Sequence, residues 1–235
     1  MSKNFGQLKS ALLSWLSIDQ EDGDERLPEE IAGDLLNYAA KEHARTRESR
    51  FDEASTTITT VALTRDYTEP ARLSKPRSFS YIHPVNGDVV YLERLNKDAF
   101  DAAYPWSRVY ATGGPFVIAG TDISQVIGLP EAYTLWGGYV LFAKVPDRVL
   151  TIFVDYWALP VDLADAADTS NRTIYAEQYL LMSALAGASA FGIEDDRMPM
   201  WMSEAQRLER NLDLEDSRRR TTGRRSQSRE PGGPR

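Results

Sequence analysis

The residues that most often carry catalysis are scarce in this chain. It contains two histidines, His43 and His83, and no cysteine among its 235 residues. A histidine relay, a multi-histidine metal centre and a thiolate nucleophile therefore lack the side chains they require. His43 stands among the charged residues of a predicted helix, and His83 precedes a proline in a predicted turn. We expect both histidines on the solvated surface.

Three further groups have the residue types of a site but not its spacing. Asp162, Asp165 and Asp168 recur every third residue before a predicted helix, where carboxylates solvate a loop and favour the positive helix end. The acidic loop 19–25 lacks the full ligand pattern of a calcium loop. The glycines of residues 113–121 are not followed by the lysine of a phosphate loop. We therefore predict no catalytic residue, no metal site and no cofactor.

Aromatic residues in predicted strands leave a binding function open. Five of them could form a flat platform for a sugar ring, as in carbohydrate-binding modules: Tyr133, Trp136, Tyr139, Tyr156 and Trp157. Because side chains alternate across a strand, about half of such residues belong to the core by default. A carbohydrate-binding or adhesin-like module is therefore the alternative to a purely structural protein.

Charge is divided sharply along the chain. The total is −8, but residues 217–235 contain seven arginines and one glutamate, a net charge of +6, which leaves −14 on residues 1–216. An acidic body repels the phosphates of nucleic acid, whereas an arginine-rich segment binds phosphates or folds against a partner protein. Because this basic tail has no large apolar side chain, we expect it to be disordered until it binds.

Helical periodicity marks both ends of the chain. The apolar positions are Phe5, Leu8, Leu12, Trp15 and Leu16 in a first helix, Ile31, Leu35, Tyr38 and Ala39 in a second, and Trp201, Ala205, Leu208 and Leu212 in the last. A nearly all-apolar helix from Ile174 to Phe191 is predicted to be central. Helices at the two termini bury their apolar faces by packing on one another, which predicts one antiparallel bundle.

The segment from Tyr133 to Trp157 has the pattern of β-structure. It predicts a meander of three consecutive antiparallel strands. Gly137-Gly138 supplies the positive φ of a two-residue turn, and Pro146-Asp147 supplies the second turn.

Further strands precede this segment. β-branched residues predict a strand from Ala54 to Leu63, and Asn86-Gly87 predicts a hairpin that joins Arg77–Tyr81 to Val89–Leu95. Asn96 is expected to cap a short helix that follows.

These elements predict an α+β chain in four parts. Residues 1–50 and 161–216 supply the antiparallel helical bundle, residues 51–160 form an antiparallel β-rich insert, a meander or sandwich, and residues 217–235 form the basic tail. No continuous apolar run has the length of a membrane span or the form of a signal peptide. We expect a cytoplasmic protein, or a component of an assembly built in a cytoplasm.

Taken in order, several segments match the pattern of a known family. They are Leu35-Leu36-Asn37-Tyr38-Ala39, the basic stretch Lys41 to Arg50, Thr56 to Thr60, Arg77-Ser78-Phe79-Ser80-Tyr81, Asp98-Ala99-Phe100, Tyr133-Thr134-Leu135-Trp136-Gly137-Gly138, Asp155-Tyr156-Trp157, and Leu212-Asp213-Leu214-Glu215-Asp216 before Arg218-Arg219-Arg220. Over most of residues 28–220 the chain resembles the head-to-tail adaptor (connector) proteins of tailed bacteriophages, especially those of short-tailed phages. The stretch from Tyr110 to Gly128 is longer than the family pattern.

The resemblance implies a structural virion protein, without enzymatic activity, at the junction of head and tail. It implies a homo-oligomeric ring, dodecameric, that binds the portal protein and a tail tube or nozzle protein. DNA would pass through the lumen of this ring without sequence-specific binding, and no membrane would be involved. Assembly would take place in the host cytoplasm.

The resemblance also implies where the portal is bound. Members of the family dock on the portal through their C-terminal segment. The corresponding residues are Leu212, Arg218, Arg219, Arg220, Arg224, Arg225 and Arg229. The sequence leaves open whether these arginines contact portal protein or DNA.

Overall fold

The computed structural model of the chain describes residues 3–17, 29–104, 127–191, 193 and 195–226, with side chains described as far as residue 219. The acidic loop 19–25 and the glycines of residues 113–121 lie outside these ranges. The chain divides into two compact units, residues 1–52 together with 159–235, and residues 53–158. The first unit is helical and discontinuous in sequence, and the second contains the β-strands.

The described elements follow one another in the order expected for an α+β chain. The helices are α1 (Phe5–Ser17), α2 (Glu29–Thr46), α3 (Lys97–Ala103), α4 (Asn171–Tyr175), α5 (Glu177–Ala186) and α6 (Met198–Ser226). The strands are β1 (Glu53–Thr59), β2 (Asp66–Thr68), β3 (Leu73–Ile82), β4 (Val89–Tyr91), β5 (Glu93–Arg94), β6 (Ile127–Gly128), β7 (Ala132–Trp136), β8 (Tyr139–Ala143), β9 (Val145–Pro146) and β10 (Thr151–Ala158).

The helical unit has one apolar core, to which helices from both ends of the chain contribute. Its most completely buried large side chains are Phe5, Leu8, Leu12, Leu35, Leu36, Leu185 and Trp201. The predicted packing of N-terminal on C-terminal helices is confirmed. Tyr38 is 43% exposed, however, because the buried stripe of α2 runs through Ala32, Leu35, Leu36 and Ala39.

The predicted helix from Ile174 to Phe191 is interrupted. Ser170 and Thr173 form a reciprocal capping box that starts α4, and Ala176 ends this helix with φ −133° and ψ 29°, outside the helical region. The chain restarts as α5, whose Leu180 and Leu185 are buried, and ends in a short 3₁₀ turn, Ala188–Phe191. α5 is thus central, as predicted, whereas α4 has one buried side, with Arg172 and Thr173, and one exposed side, with Tyr175.

The β unit is a sandwich of two four-stranded sheets. Their strand orders are β1-β10-β3-β4 and β2-β8-β7-β5, and the short β6 and β9 pair separately. Both sheets contribute to one core, in which the rings of Phe79 on β3 and Tyr133 on β7 stack with centroids 4.0 Å apart. The predicted β-rich insert of sandwich type is confirmed.

The predicted three-stranded meander is wrong in its third strand. β7 and β8 form the expected hairpin, and Gly137 and Gly138 have φ of 61° and 81°. β10 does not continue this sheet but pairs with β1 and β3 in the other one. Ile152 and Val154 of β10 are completely buried in the core between the sheets. Burial of this apolar face, rather than the short connection to β8, selects the partners of β10.

The predicted strand from Val89 to Leu95 is also divided between the sheets. β4 forms the expected hairpin with β3, with Gly87 at a φ of 75°, whereas β5 pairs in parallel with β7. α3 then follows, and the Oδ1 of Asn96 accepts a hydrogen bond from the Ala99 N–H at 2.7 Å. The predicted cap is confirmed.

The last helix is longer than its apolar pattern. α6 extends to Ser226, past the predicted start of the tail at Ser217. The part of the tail beyond residue 226 lies outside the described residues. Disorder of the tail in the absence of a partner stays a prediction.

The φ of 81° at Gly138 predicts a specific cost for a side chain at this turn. Gly138→Ala should lower the free energy of unfolding by roughly 1–2 kcal/mol, because a Cβ is disfavoured in the left-handed region although no other atom lies within 4 Å. Gly128→Ala is the matched control, since its Cβ would make only an ordinary contact, 3.7 Å from Lys144 Cδ. Urea titration should show the loss for Gly138→Ala alone, and equal losses would contradict the turn assignment.

Candidate partner-binding helix

The first part of α6 is anchored in the core of the helical unit. Trp201 is completely buried and Ala205 nearly so, and Leu208 and Leu212 continue this face half-buried. The Arg197 guanidinium lies over the Trp201 ring at 4.9 Å and donates to the carbonyl oxygen of Trp15 in α1. The start of the helix is therefore held by apolar burial and by a contact to the N-terminal helix.

The middle of α6 is held by ion pairs. Glu209 and Asp213, four residues apart, both face Arg47, whose Nε donates to Glu209 Oε1 at 2.9 Å and whose Nη1 lies 3.7 Å from Asp213 Oδ2. Arg50 lies 3.3 Å from Asp216, and its backbone N–H donates to the same carboxylate at 3.2 Å. The hydrogen bond to Glu209 raises the pKa of Arg47. We call Arg47 and Arg50 with these three carboxylates the arginine clamp.

The segment that carries the clamp arginines is fixed by a buried ion pair. Arg172 at the start of α4 and Asp52 directly after Arg50 and Phe51 are both buried, and Arg172 Nη2 donates to Asp52 Oδ2. Burial raises the pKa of Asp52, and the bond to Arg172 opposes this shift. Removing one partner of such a pair leaves an uncompensated buried charge.

His43 completes this buried cluster. Its side chain is 3% exposed, and its Nδ1 lies 2.6 Å from Arg172 Nη1. Burial and the neighbouring Arg172 lower the pKa of His43 to about 3. The ring is therefore neutral at physiological pH, and its Nδ1 accepts a hydrogen bond from Arg172. The prediction that His43 is solvated is wrong, because its ring packs against Arg172 and Tyr179 while the charged Glu42 and Arg45 of the same helix remain exposed.

An open groove of about 460 Å³ runs beside the clamp. Its walls come from α4 and α5 on one side and from α6 on the other. Tyr175, Tyr179, Leu208, Leu212 and Glu215 are among the lining residues. The Arg50 guanidinium stacks over Phe51 at 4.8 Å and lies 5.8 Å from the exposed Tyr175 ring. The groove thus combines aromatic surface with carboxylates at its rim.

The predicted docking residues occupy the far half of α6. Leu212 is half-buried and lines the groove, and Arg218 and Arg219 are exposed beyond the last clamp carboxylate. Arg220, Arg224 and Arg225 belong to the same helix, and Arg229 lies outside the described residues. Their role in docking stays a prediction.

The aspartates before α4 stabilise a loop. Asp168 Oδ2 accepts hydrogen bonds from the N–H groups of Ala164 and Asp165, both at 2.9 Å, and these bonds lower the pKa of Asp168. Asp162 accepts a hydrogen bond from Lys41 at 2.7 Å. Within the described ranges, no group of three or more His, Cys, Asp or Glu residues is placed to hold a metal ion.

The proposed aromatic platform is not assembled. Tyr133, Tyr156 and Trp157 are buried, whereas Trp136 and Tyr139 are 61% and 51% exposed at the tip of the β7–β8 hairpin. Three of the five aromatics are thus used for packing, and the sugar-platform hypothesis is wrong for them.

Sequence reasoning missed Arg172, Asp52, Arg47 and Arg50 as a connected set. Arg172 and Asp52 are 120 residues apart, so no local spacing relates them. A local signal was the set of carboxylates at Glu209, Asp213 and Asp216, which favours basic partners where that helix packs against the rest of the unit.

A helix that is anchored at its start, clamped in its middle and arginine-rich at its end is typical of proteins that assemble with partners. Comparison with protein families agrees with this class. Residues 3–229 match the model of the SU10 adaptor protein family, nearly the whole chain. The chain belongs to this family of structural adaptors of tailed bacteriophages. A comparison with curated proteins finds no match. None of the described helices is long and apolar enough to cross a membrane.

The buried ion pair predicts a large effect of a single substitution. Arg172→Met should lower the free energy of unfolding by about 3–5 kcal/mol, because Asp52 and His43 lose their partner in the interior. Arg77→Met is the control, since its ion pair with Glu53 is exposed and should contribute less than about 1 kcal/mol. Urea titrations of the two variants test this, and equal losses would show that the cluster is not stabilising.

The lowered pKa of His43 predicts acid sensitivity. The unfolded chain protonates this residue below about pH 6.5, whereas the folded protein resists protonation down to about pH 3. The free energy of unfolding is therefore unaffected by His43 above pH 6.5. It decreases as the pH falls below this value, by about 2 kcal/mol at pH 5. In urea titrations at pH 7.5 and 5, His43→Gln should show a smaller decrease than the unmodified protein. Identical decreases would contradict a neutral, buried His43.

Proposed function

We propose that this protein is the head-to-tail adaptor of a virion, where it forms a homo-oligomeric ring that joins the portal protein to the tail. The observation that carries this proposal is the family match over residues 3–229. The ring, which we propose to be dodecameric, continues the channel for DNA. On the side away from the portal it binds a tail tube or nozzle protein.

The geometry of α6 supports docking on the portal through the C-terminal segment. The clamp uses Glu209, Asp213 and Asp216 inside the helical unit, so their negative charge is compensated by Arg47 and Arg50. Residues 217–235 contain seven arginines and one glutamate, and Arg218 and Arg219 are exposed. This net positive charge suits binding to an acidic groove of the portal, together with the apolar contact of Leu212.

The charge of the body supports passage of DNA. Residues 1–216 carry a net charge of −14. A ring built from such bodies has a predominantly negative potential, which repels the phosphates of DNA and lets the genome slide without sequence-specific contacts. Docking by the arginine tail and sliding through an acidic lumen thus use the two opposite charges of one chain.

Portal binding is tested by charge reversal within α6. The double variant Arg218→Glu/Arg219→Glu should lose most of its co-sedimentation with purified portal protein from the same virion, because both side chains are exposed beyond the clamp. Arg207→Glu/Arg210→Glu is the matched control in the same helix, with the same change in net charge and exposed side chains. This control should bind as the unmodified protein does.

Two outcomes would contradict the proposed docking. Equal loss in both double variants would assign the effect to net charge, and no loss in either would exclude docking through this end of α6. A gel-shift titration with duplex DNA distinguishes the partner of the arginines. DNA binding that disappears in Arg218→Glu/Arg219→Glu while portal binding persists would assign them to DNA.

A further inference from the structure

The sheet β1-β10-β3-β4 ends in two strands whose outer edges have no partner among the described strands. β1 pairs with β10 in continuous register over its whole length, Glu53 to Thr59, without a bulge. Residues 54–60 contain only alanine, serine, threonine and isoleucine. Natural proteins protect such edges with lysine, proline, bulges or short strands, and an unprotected edge is a template for pairing with another chain.

The hydrogen bonds of the sheet show which backbone groups point outward at β1. The Thr60 N–H donates to the Leu150 carbonyl oxygen at 2.8 Å. Since successive residues of an antiparallel ladder alternate in direction, the backbone groups of Ser55, Thr57 and Thr59 point away from β10. Each of these three residues therefore offers one N–H and one C=O at the outer edge.

The same reasoning applies to the opposite edge. The Leu92 N–H donates to the Phe79 carbonyl oxygen at 2.8 Å, and the His83 N–H donates to Asp88 at 2.7 Å. The backbone groups of Val89 and Tyr91 therefore point away from β3. β4 is short but contains no charged residue, and it offers two donors and two acceptors in the same spacing as β1.

The directions of the strands make the two edges complementary. Four strands that alternate in direction leave β1 and β4 antiparallel to each other. A second copy that is placed beside the first in the same orientation brings its β1 next to β4 as an antiparallel neighbour, the more stable arrangement. Joining two different edges is a heterologous contact, which repeats from copy to copy and closes into a ring when the rotation allows it.

The side chains at these edges fit such a contact. Residues with outward backbone groups also carry their side chains on the sheet face that does not cover the core. On this face Val89 and Tyr91 are 57% and 69% exposed. Across the new pair they would meet Ser55, Thr57 and Thr59 of the neighbour. Aromatic and aliphatic side chains beside β-branched ones are favourable cross-strand pairs.

We propose that β1 of one copy pairs in antiparallel fashion with β4 of the next copy, so that the outer sheet is continuous around the assembly. This inference rests on the proposed ring and names the contact between its subunits. The contact involves few hydrogen bonds. It is therefore weak in isolation and adds to other contacts in the assembled ring.

Disulfide trapping tests the contact directly, because the chain has no cysteine of its own. Thr57→Cys and Tyr91→Cys are prepared as separate proteins, with Val89→Cys as a second partner for the register shifted by two residues. The proteins are mixed with portal protein under oxidising conditions. Directly opposed residues of a hydrogen-bonded pair lie about 5.5 Å apart at Cα, within the range of a disulfide. We expect a disulfide-linked dimer of unlike chains from a mixture, and much less from either protein alone.

Thr56→Cys mixed with Tyr91→Cys is the matched control. Thr56 is equally exposed, but its side chain alternates to the opposite face, so this mixture should not cross-link efficiently. Equal yields for Thr56 and Thr57 would indicate random collision and overturn the proposal. If the main product is instead a dimer linked through position 57 of two Thr57→Cys chains, the contact is a two-fold pairing of β1 with β1, which contradicts the proposed pairing of β1 with β4.

The failure of this contact is distinguishable from failure of the adaptor function. Co-sedimentation with the portal is measured on the same samples. Portal binding without the mixed disulfide overturns the edge pairing and leaves the function standing. A mixed disulfide without portal binding supports the edge pairing and contradicts the function.

A proline variant tests the hydrogen bonds of the contact. Thr57→Pro removes one outward N–H and leaves the ladder to β10 intact. A protein that carries both Thr57→Pro and Thr59→Cys should therefore no longer form a disulfide with Tyr91→Cys.

Discussion

The buried pair of Arg172 and Asp52 is the interaction on which the arrangement of the helical unit depends. Asp52 ends the segment that follows α2, and Arg172 begins α4, so their contact joins the two sequence halves of this unit. Arg47 and Arg50 lie in the same short segment and reach α6. A buried charge tolerates little displacement from its partner, because separation exposes both to an apolar interior. Fixing Asp52 therefore also fixes the residues that hold the last helix.

The last helix has three parts with different contacts. Burial of Trp201 holds the start of α6, the arginine clamp holds its middle, and its end carries arginines. Burial of Trp201 and Ala205 sets which face of the helix meets the core, and the partly exposed ion pairs continue this contact along the middle of the helix. This arrangement suits the docking on the portal that we propose for Arg218 and Arg219.

Local sequence patterns predicted helices, strands and turns better than they predicted which of these elements pair or pack together. The Gly137-Gly138 turn, the cap at Asn96 and most of the apolar stripes of α1 and α2 were predicted correctly, since each depends on residues within one or two turns of the chain. Trp15 and Tyr38 are the exposed exceptions in these stripes. Membership in the adaptor family was also readable from ordered segments, and the family comparison supports it. Of the candidate site, the helical position of Leu212 followed from periodicity, whereas the continuation of α6 through the first arginines of the predicted tail did not. The clamp and the buried cluster did not, since their members are separated by more than a hundred residues.

The sequence by itself determined the family of the protein, the turns at Asn86-Gly87 and Gly137-Gly138, the cap at Asn96, the helices at the two ends and the opposite charges of body and tail. Only the tertiary structure decided that β10 leaves its neighbour β8 for β1 and β3, and that His43 is buried and neutral beside Arg172. The physical reason is the same in both cases. Turn and cap preferences are set by backbone geometry over a few residues, whereas strand partners and buried charges are set by which distant surfaces exclude water together.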